Sequence, residues 1–545
     1  MCSSDLEMLS LAVLVRAPSR LDPWRAPGAA DAAITRLADA LVERGVLGTD
    51  ERDAVLAEPL ELAAPRLAVH APHFVRHARR EAERSAPYAA RVMTTLDGTL
   101  QAKVQAMLDE RLAALAPLGV GDGAVLVADH TTGEILVWAV AGGANPDGPA
   151  THIDAVTTRR QPGSALKPFV YALALDSGWT AAEIIVDAPL VESTSFGLHS
   201  YRNYSRRHYG PVTLRDALGN SLNVPAVKAL QFVGAERFLE TLHALGFDGL
   251  DAHPDHYGDG IALGTAEVSL LELVQAYASL ANGGMFRPLT TLLHEGRVRP
   301  ARRVFSPEAA SLVADILSDP EARALEFGHD SVLRLPVQTA VKTGTSSDFR
   351  DAWAVGFDHR HVVGVWIGNL DRKPSTGVSG STGPALLLRA IFAELHRGRT
   401  TRPLPLAPAL ERHTVCVPVP HTGNPTSGTS GCVERDEWFL PGTAPAERQR
   451  IAADAPAPLT LRQPTHGLRL AYDPRIPSDA QAFEFVIAGA LPDDDVRWIV
   501  DDREHPSQGP TWLWPVTRGE HRVSAAVYRD GVLLGTLDEV EFIVK

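Results

Sequence analysis

At 545 residues the chain is longer than one compact domain usually runs, so two or three domains are expected. With 45% hydrophobic and 22% charged residues it is neither a disordered chain, nor collagen-like, nor a polytopic membrane protein. Fifty-two basic against 66 acidic residues give a net charge of −14, which argues against a nucleic-acid binder.

Residues 1–90 are rich in Ala, Leu, Arg and Glu, with apolar positions such as Ile34, Leu37, Ala38 and Leu41 at helical spacing. They read as a group of helices with too little apolar content for a full core. The run from Leu11 to Val15 is far short of the ~18 residues of a membrane span, and no basic segment precedes it as in a signal peptide. Thr94 to Leu112 passes from a turn into an amphipathic helix, and two β-rich runs then flank His130-Thr131-Thr132-Gly133 as a hairpin. A long helical stretch is expected from about 164 to 330. Three further strands follow in 337–346, 351–358 and 361–369, the last two joined through Asp358-His359-Arg360. Two strands before and three after a helical block predict an α+β fold, one antiparallel sheet with an all-helical insertion.

Residues 401–458 hold ten prolines and read as a linker or irregular segment. Short strands at turn-separated spacing fill 459–545, with Asp530-Gly531 as a strong hairpin signal, and predict a small β-sandwich. There Trp498, Trp512 and Trp514 are either sandwich core or a carbohydrate platform. The cysteines are Cys2, Cys416 and Cys432, too few for a disulfide scaffold or a paired Cys-x-x-Cys zinc site. Cys416 and Cys432 are either free thiols or the ends of a loop of 15 residues. The twenty histidines show no ligand spacing, so neither a metal nor another cofactor is expected.

Chemistry concentrates in three places. Ser164 and Lys167 stand three apart at the expected start of a helix, on one face, where the amine reaches the hydroxyl and the helix dipole favours negative charge on the serine. Only six lysines occur beside 46 arginines, and Lys167 alone has a serine three residues before it. Ser221-Leu222-Asn223 lies between helical patterns, and Lys342-Thr343-Gly344-Thr345 on a β-rich run, 57 and 121 residues further along in turn. Ser-x-x-Lys, Ser-x-Asn and Lys-Thr-Gly boxes in that order form the signature of penicillin-binding proteins and serine β-lactamases.

The likeness is wider than three boxes. Residues 92–105, 264–284 and 342–369 resemble the transpeptidase domain of class A penicillin-binding proteins, and 437–445 with the strand-rich tail resembles the 1C subtype. Residues 9–23 and the helices after them resemble the last part of that family's glycosyltransferase domain (family 51-like). The implied domains are a helical glycosyltransferase remnant (1–90), a transpeptidase (91–400), the Pro-rich segment (401–458) and the sandwich (459–545). The early acidic motif and the membrane anchor of that family are not in the sequence, so the chain is expected to start inside the glycosyltransferase domain and to lack that activity.

The resemblance implies a peptidoglycan D,D-transpeptidase without cofactor. Ser164 would attack a D-alanyl-D-alanine stem peptide, with Lys167 as base and Ser221 as proton relay. Lys342 would supply a fixed positive charge, Asn223 a bond to the substrate amide, and Thr343, Gly344 and Thr345 the binding edge, with an oxyanion between the backbone N–H groups of Ser164 and Thr345. β-Lactams would be inhibitors, and cell-wall assembly proteins are candidate partners of the tail. The compartment would be periplasmic, at the outer face of the inner membrane, which implies a bridge between Cys416 and Cys432. Two rivals are a β-lactamase or carboxypeptidase and a catalytically silent scaffold. The Glu-x-x-Leu-Asn box of class A β-lactamases is absent, since the one Leu-Asn pair, Leu222-Asn223, has Gly219 three residues before the leucine. All three boxes keep their reactive side chains, which argues against a silent scaffold.

Overall fold

β-Branched runs broken by tight turns build the central sheet. In the computed structural model β1 (Asp122–Asp129) and β2 (Glu134–Gly142) form the expected hairpin. Asp129 closes its turn by accepting the Thr131 N–H at 3.0 Å, and Gly133 takes φ +81°. The structure describes residues 5–18, 20–23, 26–60, 71–85, 91–142, 152–194, 197–293, 301–420, 432–445, 459–470, 472, 481–491, 493–529 and 531–545. β3 (Ala340–Thr345), β4 (Asp351–Phe357) and β5 (His361–Gly368) complete a five-stranded sheet in the order β2-β1-β5-β4-β3, antiparallel throughout. β3 is therefore an edge.

Both faces of the sheet are covered. Helix α1 (Gly98–Leu115), capped by Asp97, packs Val104, Leu108 and Leu112 with Leu388, Ile391 and Phe392 of the late helix Pro384–Leu395 against Val125, Val127, Val363 and Val365. On the other face Gly364 admits Leu270 and Val274 of the helix Leu270–Ala281, where a Cβ would meet Val274 at 2.3 Å. The strands are buried on both sides, which explains their nearly continuous apolar sequence.

The insertion between β2 and β3 carries α2 (Lys167–Asp176), α3 (Leu214–Gly219), α4 (Asn223–Val233), α5 (Leu270–Ala281) and α6 (Pro307–Ser318). It is not all-helical. Three short ribbons, Ile184–Asp187 with Gly210–Thr213, Leu190–Thr194 with Gly197–Tyr201, and Met285–Phe286 with Arg302–Arg303, interrupt it. Ile184, Ile185 and Val186 are β-branched and too short a run for either periodicity to show, so the sequence pattern misses them. The late helix Pro384–Leu395 is α7.

The Pro-rich segment also holds order. β6 (Glu411–Pro418) and β7 (Cys432–Phe439) pair as a ribbon, with Cys416 and Cys432 joined across it at a Cα separation of 5.3 Å. Prolines sit at its ends rather than in its paired interior, so composition hid the strands. Residues 421–431 and 446–458 lie outside the described residues. Beyond them a three-stranded and a five-stranded sheet share one core containing Phe485, Trp498, Trp514, Val527 and Phe542, the expected sandwich. Trp498 and Trp514 are buried there and offer no platform; Trp512 stacks half-buried on His505. Asp530 of the hairpin signal is outside the described residues, while Gly531 has φ +77° between the paired strands Gly519–Arg529 and Val532–Val544.

Residues 1–72 form a compact unit of their own, with helices Asp5–Arg16, Pro27–Glu43 and Thr49–Ala57 around Leu6, Val13, Leu21, Ile34 and Val55. Among the described residues no helix is long and apolar enough to cross a membrane.

Candidate active site

Ser164 does not open the α-helix itself. Gly163–Leu166 make a 3-10 turn and α2 begins at Lys167. Pro168 sets that boundary: it has no N–H to give the Ser164 carbonyl four residues back, and it fits the first turn of a helix. The turn is held from two sides. Tyr277 of α5 donates its hydroxyl to the Ala165 carbonyl at 2.8 Å, and Trp353 of β4 its indole N–H to the Gln161 carbonyl at 2.8 Å.

The edge strand β3 lies directly against this turn. A Cβ on Gly344 would stand 2.1 Å from the Pro162 carbonyl oxygen, so only glycine permits the approach. Gly163, at φ +55°, meets the same strand, where a Cβ would be 2.4 Å from the Thr345 carbonyl oxygen. Gly344→Ala is expected to cost about 1–3 kcal/mol of stability by overpacking. Urea unfolding of the variant beside the parent measures it, and an unchanged midpoint would contradict the close approach.

Lys167 is fully buried, and its ammonium donates to the Ser221 carbonyl, to the Leu222 carbonyl at 3.0 Å and to Asn223 Oδ1 at 2.6 Å. Among the described residues no hydrogen bond joins it to Ser164 Oγ, the contact expected from the spacing; its donors go to the loop before α4 and to Asn223, the first residue of α4. Lys342, also buried, donates to Ser221 Oγ at 2.7 Å and to the Thr343 carbonyl at 2.9 Å. The two lysines thus reach Ser221 by its carbonyl and by its hydroxyl. Ser221 holds φ +61°, an uncommon conformation for a residue with a Cβ, which orients both groups between them.

Burial, then the nearby Lys342, lowers the pKa of Lys167 well below the ordinary lysine value, against the opposing pull of Glu326 and Asp187. Burial, and next Arg323, brings Lys342 down to about 7. The sheet edge, by removing Lys342 from water, thus draws it toward its neutral form.

Asn223 has few free groups. Its Oδ1 accepts from Lys167, its Nδ2 donates to the Arg202 carbonyl at 2.5 Å, and its backbone N–H donates to Asn203 Oδ1 at 2.8 Å. Asn203 in turn donates to Asp187 Oδ2 at 2.7 Å. Asp187 and Asn203, both buried, support the loop and escaped the sequence reading because they sit in one of the missed ribbons and the loop after another. Thr343 and Thr345 alternate to the other side of β3, where Thr345 Oγ1 accepts the Gly380 N–H at 3.0 Å. Cys416 and Cys432 belong to the β6–β7 ribbon, not to this cluster.

A serine on a buried turn, a lysine pushed toward its neutral form and a second serine whose hydroxyl accepts from one amine and whose carbonyl accepts from the other form a set suited to acyl transfer through serine. Residues 123–384 match the model of the penicillin binding protein transpeptidase domain, and residues 448–529 that of the penicillin-binding protein C-terminus family; the chain belongs to the penicillin-binding proteins. It is similar to penicillin-binding protein 1C of Escherichia coli, at 32% identity over 81% of this chain and 55% of that protein. It is also similar to penicillin-binding protein 1B of Vibrio cholerae, at 29% over 69% and 51%. The chain spans about half the length of these curated relatives. The crystal structure of penicillin-binding protein 1A from Haemophilus influenzae shares the fold, with a TM-score of 0.64 at 20% identity over 81% of this chain and 86% of that one.

Proposed function

We propose that the chain acts as a peptidoglycan D,D-transpeptidase, with Ser164 as nucleophile. The observation that carries this reading is the convergence of two buried lysines on Ser221, one of them leaving the turn that holds Ser164. Ser164 Oγ attacks the carbonyl carbon of the penultimate D-alanine, and its proton passes to neutral Lys167. The peptide C–N bond breaks as Ser221 hands its hydroxyl proton to the departing D-alanine amine and takes the one held by Lys167 in return, and an ester remains on Ser164. An acceptor amine then takes the acyl group and frees the serine; water in its place gives the carboxypeptidase reaction. Lys342, in its charged form, draws the substrate carboxylate. Thr343 and Thr345 line the binding edge beside Gly344, and the backbone N–H groups of Ser164 and Thr345 receive the oxyanion. Asn223 reaches the substrate amide by exchanging its bond to the Arg202 carbonyl.

The same reading assigns 91–400 to the transpeptidase, 1–90 to the end of a glycosyltransferase domain and 459–545 to a module for cell-wall partners. It puts the protein outside the cytoplasmic membrane, where thiols such as Cys416 and Cys432 oxidise. Incubation with benzylpenicillin is expected to add one penicilloyl mass per chain, on the peptide that contains Ser164, and Ser164→Ala to remove it. No adduct, or an adduct elsewhere, overturns the assignment. Released D-alanine followed with and without an acceptor amine separates transfer from hydrolysis.

A further inference from the structure

The turn between β4 and β5 reads Asp358-His359-Arg360-His361, and His396 follows the last residue of α7. His396 lies 35 positions after His361, yet the fold brings them to one carboxylate. Asp358 Oδ1 accepts the backbone N–H groups of Arg360 at 2.7 Å and His361 at 2.6 Å, so the turn itself fixes the carboxylate. Its second oxygen faces two imidazoles. His396 Nε2 touches Oδ2 directly, and His361 Nδ1 lies 3.6 Å from it, beyond hydrogen-bond reach. One ligand atom from each of Asp358, His361 and His396 lies within 4.8 Å of the others.

The second observation is an unmet polar group. His361 is 3% exposed, and its Nδ1 is buried without a hydrogen-bond partner among the described residues. Leaving such an atom unpaired costs about 1–3 kcal/mol, so the arrangement as a pure hydrogen-bond cluster is incomplete. His130 does not fill the gap, since it is engaged with Asn282 Oδ1 at 2.9 Å and with the Asp358 carbonyl at 3.1 Å.

We propose that Asp358 Oδ2, His361 Nδ1 and His396 Nε2 form a site for a divalent transition cation, zinc by its donor set, that ties the β4–β5 turn to the end of α7. Two imidazoles and a carboxylate are borderline donors of the kind zinc takes, with water as a fourth ligand. A tetrahedral ion at about 2.0–2.2 Å from each donor spaces the donors about 3.4 Å apart. Asp358 and His361 stand near that spacing already. His396, half-buried at a helix end, moves outward as the ion replaces the proton it shares with Asp358. The site is structural. It lies at the far end of β4 from Ala352, the partner of Thr345, six residues or roughly 20 Å away along the strand. An ion held only by the folded chain raises stability by mass action.

Zinc titration of the chelator-stripped full chain, in competition with a chromophoric chelator, tests the site. One tightly held zinc per chain is expected, together with a higher thermal midpoint. Cobalt(II) in its place is expected to show the visible bands of a four-coordinate ion. His396→Gln and Asp358→Asn should each weaken that zinc by roughly 100-fold or more, given that even outer partners of metal ligands are worth 10–100-fold. Both variants should still be acylated by penicillin at the parent's rate. Asp358→Asn keeps the oxygen that accepts the turn amides, so it carries the test where His396→Gln does not fold. No tight zinc in the parent, or equal zinc affinity in the parent and a folded variant, overturns the proposal.

Discussion

Lys167→Arg is expected to slow penicillin acylation of Ser164 by roughly 10²–10⁴-fold, the worth of a positioned general base, whereas Lys342→Arg keeps a measurable part of the rate. A base must spend time without its proton, which arginine effectively never does. Burial and the second lysine push Lys167 toward that neutral form. Lys342 acts through its charge, and its pKa of about 7 means that the charge fades as pH rises through neutrality. Acylation in the parent should therefore fall on the alkaline side, and Lys342→Arg should remove that fall because guanidinium stays charged. The same shift links to stability. From about 10.5 down to about 7 the unfolded chain binds a proton at residue 342 that the folded chain does not, so folding weakens as pH drops through that window. Acylation with a fluorescent penicillin across pH, with thermal midpoints as a folding control, checks these points. Equal acylation by the two folded variants would remove Lys167 from the role of base.

Arg215→Met is expected to lower unfolding free energy by about 3–5 kcal/mol, because it strands a buried carboxylate. Arg215 of α3 donates to both oxygens of Glu437 on β7, at 2.5 and 2.6 Å, and to Asp315 of α6 at 2.5 Å. Glu437 is 1% exposed. The pair fastens the β6–β7 ribbon to the helices just before Ser221. Replacing both partners by apolar residues, Arg215→Met with Glu437→Leu, should recover much of the loss, since neither charge is then left alone. Urea midpoints of the two single variants and the double variant decide it. Additive losses would mean that the pair is not coupled.

Glu437 opens a stretch that resembles the 1C subtype on sequence grounds alone, yet its task is invisible there. Its partner lies 222 residues earlier, and no local rule connects them. Asp187 and Asn203 were missed for a related reason. They act through a chain of hydrogen bonds that passes from a short ribbon to Asn223, and a four-residue strand such as Ile184–Asp187 leaves too weak a period to read.

The sequence by itself determined what depends on neighbours along the chain. The β1–β2 and β4–β5 hairpins follow from β-branched runs on either side of turn residues, and the helix expected from Ser164 is there, though it begins three residues later, at Lys167. The three boxes were legible as residue types in order, and so was the strand-rich tail. Tertiary structure alone decided which atoms meet. It sent the Lys167 ammonium to the loop before α4 instead of to Ser164, and laid Gly344 on Pro162. By burying Lys342 it brought the pKa of that amine down to about 7. It also brought Asp358, His361 and His396 together from a turn and a distant helix end. Local conformation is set by sterics and backbone hydrogen bonds over a few residues. Burial and charge proximity are set by packing between segments tens to hundreds of residues apart, and no spacing along the chain encodes them.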